Sequence, residues 1–182
     1  MKKLVKGLFS LIKLTLIKLF NCNGVFFTIK EDIDLSTKII IKKNSKIFLG
    51  ESVHIRDHAI VKCSEGAEIL IGAHTSIGRN NNIVAHSRIE IGDYCDLGPN
   101  VCIYDHDHDY KVIDGLKAEK YIANPIIIGN NVWIGANATI LRGSIIGDNC
   151  VIGAGTVIKG CIEKNTLVYS DVSLRKRGIQ NG

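Results

Sequence analysis

Apolar residues along most of this chain return every six positions, not at the alternating three and four of an amphipathic helix. Leu49-Gly-Glu-Ser-Val-His is followed by Ile55-Arg-Asp-His-Ala-Ile, and after a small slip by Ile71-Gly-Ala-His-Thr-Ser, Ile77-Gly-Arg-Asn-Asn-Asn and Ile83-Val-Ala-His-Ser-Arg. The extra pair Ile89-Glu90 precedes Ile91-Gly-Asp-Tyr-Cys-Asp and Leu97-Gly-Pro-Asn-Val-Cys, and six further units run in register from Ile128. Each unit reads as one short strand and a turn. The aliphatic first residue and the small fifth residue point inward, and Gly or Asn at the turn supplies backbone conformations that other residues resist. Three units close a triangular coil, and because no unit buries its apolar face alone, the coils must stack. The expectation is an all-β parallel β-helix solenoid over residues 25–168.

Two segments depart from the repeat. Between Ile103 and Ile128 an extended loop, 104–127, opens with Tyr-Asp-His-Asp-His-Asp-Tyr, the densest titratable cluster in the chain. A solenoid admits insertions at its corners, and a long loop in a compact domain is usually functional. Residues 1–24 hold a basic amphipathic helix. Leu4, Val5, Leu8, Leu11, Ile12, Leu16 and Leu19 share one face, and Lys2, Lys6, Ser10 and Lys13 the other, with Leu14 and Ile17 at the polar edge. Lysines interrupt it too often for a membrane span, and no apolar run leads to a cleavage site. Residues 1–20 therefore either pack on the body or a neighbouring subunit, or lie on an anionic membrane surface as a peripheral contact. Residues 169–182 form a basic tail.

Composition narrows the picture. The chain has 182 residues, 46% apolar, with 18 Gly, 2 Pro and 6% aromatics, which suits a narrow, regular core. The formal charge of +5 gathers at the two ends, so no basic stripe crosses the fold and no nucleic-acid partner is expected. Cys22, Cys63, Cys95, Cys102, Cys150 and Cys161 make no CxxC or CxxH zinc pattern. Most sit among apolar residues as buried free thiols, in keeping with a cytoplasmic location.

The repeat aliphatic-Gly-x-x-small-x resembles that of the hexapeptide-repeat acyltransferases over residues 47–103 and 128–163, and this resemblance implies a left-handed solenoid. Gly98-Pro99-Asn100-Val101 leading into the histidines, and Asn124-Pro125 followed by Ile-Ile-Ile-Gly-Asn-Asn-Val-Trp133, are similar to galactoside and maltose O-acetyltransferases and to acetyltransferases of capsule and lipopolysaccharide clusters. The resemblance implies acetyl-coenzyme A as co-substrate and a sugar acceptor. It also implies a homotrimer with active sites between subunits and a general base at His108, seven residues after Val101. His106 is the alternative base. Asp105 and Asp107 either orient an imidazole or serve the loop's turns, with Asp105 also a candidate for contacting the acceptor. Asn80 is either an acceptor-binding residue or a corner turn. Trp133, Gly135, Ala136, Ala154 and Gly155 match positions lining the coenzyme A groove. Lys159, Arg175, Lys176 and Arg177 either meet its phosphates or form a solvated basic surface. Two departures put the phosphate contacts in doubt: Val157-Ile158-Lys159 stands where Thr-Lys is usual, and Val168-Tyr-Ser-Asp replaces a Gly-x-Pro-Ala segment.

The chemistry expected is O-acetylation of a sugar hydroxyl in surface-polysaccharide synthesis, since an imidazole near neutral pKa suits proton removal from a weak nucleophile. Two alternatives stand beside it. One is N-acetylation of an amino-sugar nucleotide. The other is a zinc hydratase like the γ-class carbonic anhydrases, with His86 joining His106 and His108. The spacing matches no zinc set, so no metal is expected. The location expected is cytoplasmic, with the inner membrane face as the place of any lipid contact.

Overall fold

The computed structural model describes residues 2–20, 24–28 and 31–171, and in the helix Lys2–Phe20 the side chains of 8–17. Arg175, Lys176, Arg177 and Cys22 lie outside the described residues. Three parallel sheets, of seven, seven and six strands, form the faces of a solenoid. Successive strands visit the faces in turn. The first face runs from Val25–Phe26 to Cys161–Ile162, the second from Asp32–Ile33 to Leu167–Val168, and the third from Lys38–Ile41 to Val157–Ile158.

Register is set by the hexapeptide. Ile47 pairs with Ile69, Ile69 with Ile89 and Ile89 with Ile126, so identical side chains stack along the axis. All four are fully buried. The small fifth positions Val53, Ala59, Thr75, Cys95, Val101, Val132, Ala138 and Cys150 fill the corners of the same core. The glycine after each aliphatic residue is required where coils approach. A Cβ on Gly135 would lie 2.5 Å from the amide nitrogen of Ala154, closer than side chains pack. Asn80, Asn100 and Asn137 occupy left-handed corners with φ of 57°, 58° and 60°, a conformation Asn tolerates well. Backbone N–H groups of Asn100 and Asn137 donate to Arg79 and Pro99 carbonyls of the preceding coil, at 3.0 Å each.

The helix closes the Asp32-bearing end of the solenoid, and it does so with its polar face. The Ser10 hydroxyl accepts from the Ile33 N–H (2.8 Å) and donates to the Ile33 carbonyl. Lys13 Nζ donates to the carbonyls of Asp34 (2.8 Å), Leu35 (3.1 Å) and Thr37 (2.6 Å). The first coil has no coil before it to pair its backbone, and buried backbone polar groups need partners. Leu14 and Ile17 pack on the core beside these groups, while Leu8, Phe9, Ile12 and Leu16 stay exposed. The helix thus packs on the body in the sense opposite to ordinary amphipathicity. Burial lowers the Lys13 pKa, and Asp34 partly offsets that.

The cysteines Cys63, Cys95, Cys102, Cys150 and Cys161 are free. Burial pushes the Cys63 thiol up to about 11. Cys161 is exposed because it sits on the outward side of the first face. Among the described residues no helix is long and apolar enough to cross a membrane.

Candidate active site

The chain leaves the solenoid where the third face would turn onto the first. Cys102–Tyr104 completes its strand, and Ile126–Ile128 starts the next coil. Tyr104 and Ile127 remain paired in the sheets, so the excursion is narrower than 104–127. Its neck is stitched by the Asn124 N–H donating to the Asp105 carbonyl (2.8 Å) and the Gly143 N–H donating to the Asn124 carbonyl (3.2 Å). Above the neck, His106–His108 pairs antiparallel with Tyr121–Ala123 as a two-stranded arm, with a 3-10 turn at Gly115–Ala118 further out.

Asp105 is the anchor. It is fully buried, and its carboxylate accepts from the backbone N–H groups of His86 (2.8 Å) and Ser87 (2.7 Å) in the coil below. It also meets His106 Nδ1 at 3.1 Å. With the Asp105 carboxylate as acceptor, Nδ1 donates in this pair and Nε2 is the ring nitrogen left open. The His106 side chain is 13% exposed. Its ring lies 3.9 Å from that of His86 and edge-on to Tyr121 at 5.4 Å. Burial lowers the His86 pKa, and the neighbouring charge of His106 lowers it further. Tyr104, raised to about 12 by burial and by its hydrogen bond with Cys102, stays neutral at the base of the cluster.

The arm's strand alternation separates the next two residues. Asp107 forms an ion pair with Arg142, whose guanidinium holds the carboxyl below its usual range. His108 is exposed, its ring 4.7 Å from that of Tyr121. The corner therefore presents an accessible imidazole on a braced ribbon, above a second imidazole tied to a buried carboxylate.

The other residues marked in the sequence lie elsewhere. Trp133 is 55% exposed on the second face, which is opposite this corner in a three-sided solenoid. Gly135, Ala136, Ala154 and Gly155 form the corner between the second and third faces, where the Gly155 N–H donates to the Ala136 carbonyl (2.8 Å). Asn80 belongs to that same corner column, as an exposed left-handed turn residue. Asp105 has both carboxylate oxygens engaged and no exposed surface, so it faces His106 and the coil below, not an acceptor. Lys159 is exposed on the third face, and its charge reaches Asp107. One copy thus gathers His86, Asp105, His106, His108 and Tyr121, and leaves Trp133 on a different side.

Tyr121 and Arg142 escaped the sequence reading, and His86 entered it only as a possible zinc ligand beside His106 and His108. His86 had a usable signal: it precedes Asp105 by 19 positions, close to one coil of three six-residue units. Tyr121 and Arg142 had none, because their approach depends on how the arm folds back. The imidazoles of His86 and His106 are in contact at a tilt of 34°, and His106 Nδ1 is held by Asp105. Among the described residues no three His, Cys, Asp or Glu side chains converge as a metal set.

The family model for bacterial transferase hexapeptide (six repeats) matches residues 125–160. A galactoside O-acetyltransferase of Escherichia coli K12 is 38% identical over 104 residues, covering 57% of this chain and 51% of that protein. The chain spans about half the length of the curated relatives it matches, 39% to 53% of the first three. The solved structure of a hexapeptide-repeat-containing acetyltransferase from Vibrio cholerae is 30% identical, covers 73% of this chain and 74% of its own, and superposes with a TM-score of 0.61. That protein has also been solved with acetyl-coenzyme A. An N-acyltransferase from Bacillus cereus, in complex with dTDP and coenzyme A, covers 86% of this chain and 84% of its own, with a TM-score of 0.70. At 18% identity it speaks for the fold alone.

Proposed function

The chain belongs to the hexapeptide-repeat acetyltransferase family, and from that premise we propose that it moves an acetyl group from acetyl-coenzyme A to a sugar hydroxyl, with His108 as general base. The observation that carries this reading is the exposed His108 imidazole on an arm braced by the Asp107–Arg142 ion pair. A base must come within hydrogen-bond reach of the proton it takes, and accessibility comes before pKa in that test.

The step balances without a covalent enzyme intermediate. His108 removes the acceptor hydroxyl proton as that oxygen adds to the thioester carbonyl carbon. The tetrahedral oxyanion is met by a backbone N–H, for which Ala136 is the candidate at this corner, since the Gly135 N–H already donates to the Ile152 carbonyl. The C–S bond then breaks, and His108 returns the proton to the departing thiolate sulfur. The small residues Ala136, Ala154 and Gly155 leave this corner open to a pantetheine arm, and the exposed Trp133 ring flanks it. Lys159, whose charge reaches Asp107 on the arm, would meet the phosphates of coenzyme A together with Arg175 and Lys176. His106 is the second reading for the base, favoured by its Asp105 partner, which fixes tautomer and orientation.

His108 and Trp133 occupy different sides of one copy, which supports a homotrimer whose active sites lie between subunits. Light scattering should then give about three times the 19.9 kDa of one chain, and an active monomer would overturn the shared site. The acceptor class proposed is a sugar of surface-polysaccharide synthesis, acetylated in the cytoplasm.

The test is thiol release from acetyl-coenzyme A with a panel of free and nucleotide-linked sugars. His108→Ala should lower turnover by roughly 10²–10⁴-fold, the usual contribution of a general base. Loss of turnover in His106→Ala with full turnover retained in His108→Ala would reassign the base. A product stable to mild base would be an amide and would replace the sugar hydroxyl by an amine.

A further inference from the structure

We propose that the helix-capped end of the solenoid docks on an anionic phospholipid surface, with the outer face of the helix Lys2–Phe20 lying in the headgroup boundary. The first observation is the inverted packing of the helix. Its polar residues Ser10 and Lys13 are consumed by backbone groups of the first coil. Leu8, Phe9, Ile12 and Leu16 are left about half exposed on the other side, at 57%, 48%, 47% and 51%. Beside them Leu35, at the corner that Lys13 reaches, is 64% exposed. A groove of about 550 Å³ runs between the helix and this corner, lined by Phe9, Ile12, Leu16, Leu35 and Ile40 among others. An apolar patch rimmed by charged residues marks an interaction surface.

Charge selects the occupant. Residues 1–49 contain ten lysines against Glu31, Asp32 and Asp34, whereas the remaining 133 residues carry 13 basic and 15 acidic side chains. The positive end is thus the helix-capped end. Glu31 is buried against Thr28, and Asp34 is engaged with Ser36, while Lys38, Lys42 and Lys43 stand exposed around the first coil. Two copies meeting through this end would bring two lysine-rich surfaces together. An anionic bilayer satisfies both features at once, since amphipathic helices bind by apolar burial plus attraction to acidic headgroups. The patch also lies at the end of the solenoid axis, so contacts along the sides of the solenoid leave it uncovered. The inference is independent of the acetyl-transfer reading.

The test is co-sedimentation of the full chain with phosphatidylcholine vesicles, with and without phosphatidylglycerol. The wild type should sediment with the anionic vesicles only, and less so at high salt. Ile12→Asp should weaken that binding at least tenfold with unchanged thermal unfolding and unchanged mass by light scattering. Lys42→Glu with Lys43→Glu, at an exposed corner, supplies a variant that leaves the helix untouched and should weaken binding too. Failure of the wild type to sediment, equal binding to neutral vesicles, or undiminished binding by both variants would overturn the proposal. A drop in oligomer mass in Ile12→Asp would make the face a contact between copies and would overturn it as well.

Discussion

His86 is held neutral by its surroundings. Its pKa is lowered by burial and then by the charge of His106, whose ring lies 3.9 Å away and tilted by 34°. Folding therefore favours the unprotonated ring. The stabilisation from this group is fully present above the unfolded value near 6.5, and is lost progressively as pH falls below it, where the unfolded chain takes up a proton that the folded chain refuses. Thermal unfolding of wild type should drop between about pH 7 and 5 more steeply than that of His86→Gln, which has no proton to take up. Parallel curves for the two proteins would show that His86 contributes no such penalty. The residue scale is also where sequence reading reached least far. The resemblance to galactoside and maltose O-acetyltransferases, which places the base seven residues after Val101, pointed to His108 as the candidate. Nothing in the string Asp-His-Asp-His-Asp, however, told that Asp105 would cap His86 and Ser87 while Asp107 turned to Arg142. Those contacts depend on the direction of the arm and on the coil beneath it.

At the scale of the coil, legibility was high because one rule sets every strand: an aliphatic first position and a small fifth position fix which side faces the core. Asn81 breaks the rule and exposes its cost. It sits at a fifth position, fully buried; Oδ1 accepts from the Val101 N–H (2.7 Å), but Nδ2 finds no partner. Thr75, at the fifth position of the preceding unit, solves the same problem with one hydroxyl. It accepts from the Cys95 N–H (3.1 Å) and donates to the Gly92 carbonyl (2.8 Å). Asn81→Thr should accordingly stabilise the solenoid by about 1 kcal/mol, on the order of an unpaired buried donor. Denaturant midpoints would check this, and a lower midpoint would mean that Nδ2 has a partner such as a buried water. The helix shows the opposite case. Its amphipathic pattern was plain in the sequence, but the pattern left open whether the helix packs on the body or lies on a membrane. The pairing needs of an unstacked first coil turn its polar side inward, and no residue spacing announces that a solenoid's end must be capped by donors.

For the whole molecule, the faces of the solenoid decide how the site is built. The third-to-first corner carries the imidazoles, the second-to-third corner carries Ala136, Ala154 and Gly155, and Trp133 sits on the second face. Gly135 illustrates why resemblance alone could not settle roles here: its missing Cβ is demanded by the coil above it, whether or not a cofactor passes. The proposed donor site, away from His108, and the proposed proton transfer by His108 are two functions that one experiment can read apart. Calorimetric titration of acetyl-coenzyme A into wild type and His108→Ala tests this most directly. Saturable binding is predicted for both, with affinities within a few-fold and turnover lost only in the variant. No heat of binding in the wild type would contradict the acetyl-transfer account at its base.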